Sequence, residues 1–304
     1  MGKIVVIGTG TMGSGISAIF LAAGHDVVLL GRQLPATQAR QSAILALAAT
    51  LPSAGSHGQL TAAVVDGWNA WDDVELVVET IAEDLPAKQA LFAQLDQRVP
   101  AHIPIGSNSS GFGIDEMTAG LATADRMLNV HYSMPAHIVP MVEVALGSHT
   151  SLPLAEAVCR LITATGKKTT LIRQYIPGLL IARLQHALMR EALSLVDQGI
   201  VTPQDIDNAV RFGFGFRFAA LGPMAQKEMS GWDTHVTSGA AVYPSLSNVN
   251  APPACVTDLV KKGRTGMKQG AGFQDWTPEE VAEFKRKYEL RLRAAFEVLG
   301  VEPD

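Results

Sequence analysis

The chain has 304 residues, 47% apolar and 17% charged, with a formal net charge of −5. This composition excludes a disordered chain, and the lack of any Lys/Arg block argues against nucleic acid as a partner. Cys159 and Cys255 build neither a disulfide framework nor a zinc pattern, Met1-Gly2-Lys3 has no signal-peptide layout, and no apolar run is of membrane-spanning length, so a cytoplasmic protein of two domains with no membrane partner and no metal is expected.

Ile4-Val5-Val6-Ile7 is a short apolar run ending in glycines, as a buried parallel strand does. Thr11 to Ala23 predicts a helix stopped by Gly24. Val27 to Leu30 follows as a strand, Ala36 to Leu51 as a helix, and the Ser/Gly/Pro-rich stretch 52–59 as a loop. Glu75 to Val78 predicts a strand, Leu85 to Gln97 an amphipathic helix, and Ile103 to Ile105 a strand before the Ser/Gly-rich stretch Ser107 to Gly113. Met127 to His131 and Val142 to Ala145 predict two more strands, Leu152 to Thr165 a helix, and Lys168 to Ile172 a closing strand. Strands alternating with helices predict an α/β fold, a Rossmann-type parallel, doubly wound sheet domain. After Tyr175-Ile176-Pro177-Gly178 the texture changes to helical spacing (Leu179 to Asp197, Asp205 to Phe212, Val256 to Lys262, Pro278 to Leu299). The expected division is a dinucleotide-binding domain over 1–174 and an all-helical C-terminal domain over 175–304.

The loop Gly8-Thr9-Gly10-Thr11-Met12-Gly13 lies between the first strand and the first helix. Gly8 permits the tight turn, Gly10 lets the backbone approach a pyrophosphate, and Gly13 lets helix and strand pack closely, while the helix end offers N–H groups to the anion. A dinucleotide cofactor is therefore expected. An NAD site usually carries Asp or Glu at the end of the second strand. Here Leu29-Leu30 is followed by Gly31-Arg32-Gln33, and a guanidinium in place of the acid suits a 2′-phosphate, so NADP is favoured over NAD.

Ser107-Asn108-Ser109-Ser110 follows a strand end, where open α/β sheets bind ligands. Asn108 suits the nicotinamide carboxamide and Ser110 a substrate oxygen; the bland alternative is a serine-rich turn capping the next helix. His131 ends one strand and Glu143 lies at the start of the next. The link between them returns the chain, which would bring the carboxylate to one imidazole nitrogen and leave the other to exchange a proton with a substrate hydroxyl.

Taken together, GTGTMG at 8–13, SNSS at 107–110, HYSMP at 131–135, VEVA at 142–145, Pro177-Gly178 before a long helix and Gly266 to Phe273 resemble the L-3-hydroxyacyl-CoA dehydrogenase family over nearly the whole chain. GFGFRFAALGP is similar to a stretch in the branch with lambda-crystallin and gulonate 3-dehydrogenase. The resemblance implies that His131 is the general acid/base with Glu143 as its orienting partner. It further implies that Ser110 contacts the substrate oxygen and Asn108 the nicotinamide, that Glu83 and Lys88 lie at the nicotinamide-ribose end, and that a homodimer forms through the helical domain. Three positions depart from the family pattern. Ala182 replaces an asparagine before Arg183, Met134 replaces the asparagine before proline, and Gly31-Arg32 replaces the acid.

A CoA thioester would want basic residues between the second and third family strands. Residues 33–74 hold no lysine and one arginine, Arg40, which favours a small hydroxy acid, ketone or cyclic imine. Arg217 suits a substrate carboxylate, or simply a surface salt bridge. The leading expectation is an NADP-dependent oxidoreductase on a small secondary alcohol or ketone of the 3-hydroxy-acid type. The rivals are an imine reductase on the same scaffold, a 3-hydroxyacyl-CoA dehydrogenase, a non-catalytic cofactor-binding structural protein, and, ranked low, a ketopantoate-reductase type.

Overall fold

The computed structural model describes residues 2–53 and 55–299; residues 300–304, the end of the expected second domain, lie outside the described residues. The chain folds as two compact units, Met1–Arg183 and Leu184–Asp304. The expected boundary at 174/175 falls in the turn just before a long helix, Ile181–Asp197, and the units divide inside that helix.

The first unit is built on one sheet. Among the described residues its strands are β1 (Lys3–Ile7), β2 (Asp26–Gly31), β3 (Leu60–Val64), β4 (Val74–Glu79), β5 (Ile105–Ser107), β6 (Met127–Tyr132), β7 (Met141–Leu146) and β8 (Lys168–Ile172), in the spatial order β3-β2-β1-β4-β5-β6-β7-β8. Neighbours from β3 to β6 pair in parallel, β6 pairs antiparallel with β7, and β7 pairs parallel with β8. The parallel sheet expected from the alternation runs from β3 to β6, and the expected return of the chain between His131 and Glu143 reverses β7, and β8 with it. The link 133–140 is too short for the crossover that a parallel pair requires, which takes a dozen residues or more, so the chain turns straight back.

Helices cover both faces. α1 (Thr11–Ala22), α2 (Leu34–Gln38), α3 (Gln41–Ala48), α4 (Leu85–Arg98), α5 (Ile114–Met117) and α6 (Leu152–Thr163) precede α7 (Ile181–Asp197). One apolar core packs Ile16, Phe20, Ile44, Val158 and Ile162 against Val6, Leu29 and Val144. The other packs Phe92, Leu95, Ile114 and Met117 against Val5, Val77 and Ile105. Burial on both sides explains why the strands are continuous apolar runs rather than alternating ones. α4 starts where Asp84 accepts from Ala87 N–H at 2.8 Å, with Pro86 in its first turn.

Several elements differ from expectation. The helix expected over 36–51 is two helices. Thr37 Oγ1 donates to Gln33 O at 2.8 Å, back-bonding of a kind that bends helices, and the chain then turns at Ala39-Arg40. β3 was not expected, because Leu60-Thr61-Ala62-Ala63-Val64 is a half-buried edge strand of mostly small residues. The strand expected at 103–105 sits later, at Ile105–Ser107.

The second unit contains, among its described residues, α8 (Pro203–Asn208), a π-helical turn Ala209–Phe214, α9 (Gly215–Ala220), α10 (Pro223–Ser230), α11 (Trp232–Val242), α12 (Ala254–Lys261) and α13 (Pro278–Leu299). The helix expected over 205–212 therefore passes into the π turn, and α9 to α11 were not expected. α9 and α10, of 6 and 8 residues, are too short to display a 3.6-residue period, and exposed apolar side chains occur on all three. No helix among the described residues is long and apolar enough to cross a membrane.

Lys167 ties down the link that follows β6. It is 7% exposed, and its Nζ donates to Ala136 O at 2.7 Å and to Val139 O at 2.9 Å. Burial without a carboxylate partner pushes the ammonium down to about 8.

A Cβ at Gly13 would lie 2.0 Å from Gly8 O, whereas one at Gly10 meets nothing within 4 Å. Gly13→Ala should therefore destabilise by about 2 kcal/mol in urea unfolding, while Gly10→Ala leaves stability nearly unchanged and weakens cofactor binding. For Lys167 the folded pKa lies below the unfolded one, so the unfolded chain binds the extra proton and the penalty of the buried ammonium fades as pH rises from about 8 towards 10. Unfolding of wild type and Lys167→Met at pH 7.5 and 9.5 should show wild type gaining relative to the variant at the higher pH; a constant difference would remove the buried ammonium as the cause.

Candidate active site

The C-terminal ends of β1, β4, β5 and β6 meet at the crevice where the strand order reverses, and the site is assembled there. After β1 the chain turns through Gly8, whose φ of +121° suits glycine. Gly10 caps α1, and the first bond of that helix runs from Ser14 N–H to Gly10 O. The N–H groups of Thr11, Met12 and Gly13 stand in the first turn, where an α-helix has no internal acceptors, and α1 has no acidic residue there. The open space at Gly10 beside these donors fits a pyrophosphate.

His131 and Glu143 are cross-strand partners in the β6–β7 ladder, so their side chains leave the same face. His131 Nδ1 lies 2.9 Å from Glu143 Oε2. A carboxylate only accepts, so Nδ1 carries the proton and Nε2 is left for a ligand. Glu143 is fully buried, and its Oε1 accepts from Leu180 N–H at 2.7 Å and Ile181 N–H at 2.8 Å. Those donors belong to the start of α7, where the helix dipole also favours negative charge. Gly178 (φ +82°) and Leu179 (φ +51°) make the turn that aims them.

A cleft of about 290 Å³ is lined by Met12, Asn108, Ser110, His131 and Met134, with Thr80, Ile81, Glu83, Lys88 and Tyr132 completing its wall. Asn108 is only half available to a ligand. Its Oδ1 accepts from Tyr132 N–H at 2.9 Å, so a carboxamide would meet the amide NH₂ and not the oxygen. Ser110 is exposed at the cleft, and Met134 is 69% exposed there. Lys88 is buried: Nζ donates to Glu79 Oε1 at 2.7 Å and lies 3.4 Å from Glu83 Oε2. Glu79 Oε2 accepts from Ser107 Oγ at 2.5 Å, and Glu83 Oε1 from Ser109 Oγ at 2.5 Å and Gly111 N–H at 2.8 Å. Partial burial pushes the Glu83 carboxyl up, but the Ser109 and Gly111 hydrogen bonds and Lys88 outweigh it and hold the carboxyl below its ordinary value.

The structure therefore brings Met12, Glu83, Lys88, Asn108, Ser110 and His131 to one cleft, with Gly8, Gly10, Thr11 and Gly13 in the loop beside it and Glu143 behind the histidine. Arg32 stands apart, exposed past the end of β2, and Arg217 is exposed on α9. Glu79 was missed by sequence reasoning. It ends an apolar strand as a carboxylate, a polar group at a strand end like His131. Among the described residues no group of three or more His, Cys, Asp or Glu side chains is placed to hold a metal ion.

Comparison with known proteins identifies the family of the chain. Residues 3–175 match the NAD-binding domain of 3-hydroxyacyl-CoA dehydrogenase and residues 178–276 match its C-terminal domain. The chain is 30% identical over 306 residues, 98% of each chain, to 5-formyl-3-hydroxy-2-methylpyridine 4-carboxylate 5-dehydrogenase of Mesorhizobium japonicum. It is 30% identical over 304 residues to L-carnitine dehydrogenase of Oceanobacillus iheyensis, covering 96% of this chain and 97% of that one. The crystal structure of a 5-formyl-3-hydroxy-2-methylpyridine 4-carboxylic acid 5-dehydrogenase, described as an NAD⁺-dependent dismutase, superposes with a TM-score of 0.89 at 27% identity over 100% of both chains. With a Rossmann-type domain for a nicotinamide cofactor followed by a helical domain, the chain belongs to the 3-hydroxyacyl-CoA dehydrogenase family of oxidoreductases.

Proposed function

We propose that the protein is an NADP-preferring oxidoreductase acting on a small secondary alcohol or ketone of the 3-hydroxy-acid class, with His131 and Glu143 as its proton relay. The observation that carries this is the imidazole at the cleft, bound through Nδ1 to a fully buried carboxylate at 2.9 Å. The glycine loop and the first turn of α1 would hold the pyrophosphate, and Asn108 NH₂ with the Glu83–Lys88 pair would border the nicotinamide. When bound, the cofactor supplies or takes the hydride. In oxidation His131 Nε2 accepts the hydroxyl proton of the substrate, and Glu143 stabilises the imidazolium. In reduction the same nitrogen returns the proton, while the Ser110 hydroxyl donates to the oxygen as charge develops on it.

A small substrate is favoured over a CoA thioester by the absence of lysine from 33–74, where Arg40 is the one arginine. Two relatives matched over nearly their whole length are named for a pyridine carboxylate and for L-carnitine, although others are named for acyl-CoA thioesters. NADP preference rests on Arg32, exposed beyond β2 with no acid in the strand end before it. A second reading, imine reduction, is favoured by Met134 in the cleft wall and by Ala182, which offers no donor in the first turn of α7 beside Glu143.

We also propose a homodimer formed through the helical unit. Beyond Arg183, Ala192 is the one buried hydrophobic among the described residues, while Phe212, Phe216, Met224, Met229 and Val236 are 67–76% exposed. Apolar side chains left this open to water usually mark an interface. Sedimentation should give twice the 32.3 kDa chain mass; a monomer at micromolar concentration refutes this part.

Turnover is tested by following nicotinamide absorbance with NADPH and NADH against β-keto acids, acetoacetyl-CoA and cyclic imines. Oxidation of NADPH by a β-keto acid is expected, with His131→Ala lowering kcat by about 10²–10⁴-fold, the usual contribution of a general acid/base. Glu143→Gln keeps an acceptor for Leu180 and Ile181 but loses the charge that stabilises the imidazolium, so a fall in kcat larger than any change in KM is expected. A preference for NADH would move the ribose contact from Arg32 to Asp66, which β3 carries to the same end of the sheet.

A further inference from the structure

Gly31, the buried last residue of β2, occupies a closed slot. A Cβ built on it would lie 2.1 Å from Thr37 Oγ1 and 2.9 Å from Thr9 Cγ2, both well inside van der Waals contact. Thr37 has no easy retreat. It is 0% exposed, and its hydroxyl is fixed by the 2.8 Å bond to Gln33 O. Of the two other χ1 positions one puts the methyl group in the slot, and the other, which would leave only hydrogen there, gives up the bond to Gln33 O, while Thr37 Cβ itself stays 3.3 Å from the added carbon. Thr9 closes the other side from within the glycine loop.

We infer that Thr37 and Thr9 determine cofactor specificity, by filling the space that a carboxylate at position 31 would need to accept hydrogen bonds from the adenine-side ribose. This rests on the NADP reading above and deepens it. The missing acid is then a property of packing around the strand end and not of residue 31 alone. The chain's first side chain past β2 is the exposed Arg32, and a glycine-to-acid exchange by itself leaves the slot blocked. A practical consequence is that preference should shift only when the acid arrives together with a smaller residue at 37.

The test has an arm without cofactor and an arm with it. In the first, Gly31→Ala should lower Tm by several degrees. The same exchange in a Thr37→Ala background should cost less than half as much, a coupling expected of residues competing for one space. Equal costs in both backgrounds would overturn the inference without reference to any cofactor. In the second arm, dissociation constants for NADPH and NADH are read from quenching of tryptophan fluorescence in the full-length protein. Gly31→Asp alone should gain no NADH affinity, and Gly31→Asp/Thr37→Ala should bind NADH at least ten-fold more tightly than Gly31→Asp. A gain by Gly31→Asp equal to that of the double variant overturns the role of Thr37. Wild-type preference is measured in the same titrations. NADH preference there would defeat the NADP reading, while the thermal coupling would still decide whether position 31 is blocked.

Discussion

A carboxylate removed from water must be compensated, and much of this site follows from how Glu143 is. Its hydrogen-bond partners come from two parts of the chain: the His131 imidazole on the neighbouring strand, and the Leu180 and Ile181 N–H groups at the start of α7. Desolvating an unpaired carboxylate would cost several kcal/mol, so this arrangement constrains several parts of the fold. It sets the register of the β6–β7 hairpin, the entry of α7 and the ring orientation of His131 at once. The turn that aims the two N–H groups contains a buried leucine with positive φ, Leu179, at 1% exposure. Such backbone strain persists only where the surroundings determine it, and here the surrounding constraint is the carboxylate.

The antiparallel return is what makes the pair possible. Directly opposed residues on adjacent antiparallel strands point to one face, and His131 and Glu143 are such a pair. This was the most legible part of the site in the sequence, because a strand, a link too short for a crossover and a second strand leave the chain little choice. The glycine loop was legible for a similar reason: Gly8 and Gly13 answer steric demands of the fold, from Thr80 and from Gly8 O, while Gly10 borders the open space where a pyrophosphate would approach.

What the sequence did not disclose lies where local pattern and tertiary role part. β3 is made of small residues at a sheet edge and carries no strong strand signal. The stretch 36–51 holds no glycine or proline to mark a break, yet a threonine hydroxyl bonds backwards along the chain and the helix is interrupted at Ala39-Arg40. Glu79 and Lys88 are typical surface residue types, and their burial at 0% and 1% becomes sensible only once each is seen to compensate the other. Asn108 was expected to offer both halves of its amide, but a backbone N–H on the neighbouring strand claims the oxygen.

These commitments narrow what the cleft offers. Glu79, Glu83 and Lys88 are tied to one another and to Ser107, Ser109 and Gly111, and Asn108 keeps only its NH₂ for a ligand. Among the polar groups of the wall left uncommitted are the Asn108 amide NH₂, the Ser110 hydroxyl and His131 Nε2, all able to donate when the imidazole is protonated. His131 and Asn108 are oriented by their bonds to Glu143 and Tyr132, and in the proposed reaction donors so oriented would meet an oxygen gaining negative charge with little reorganisation. A site of this composition discriminates by the number of donors that the electrophile requires. A carbonyl oxygen would accept from Ser110 and His131, whereas an imine nitrogen that arrives already protonated would accept from neither, so the two donors together would separate the two chemistries of the proposed function.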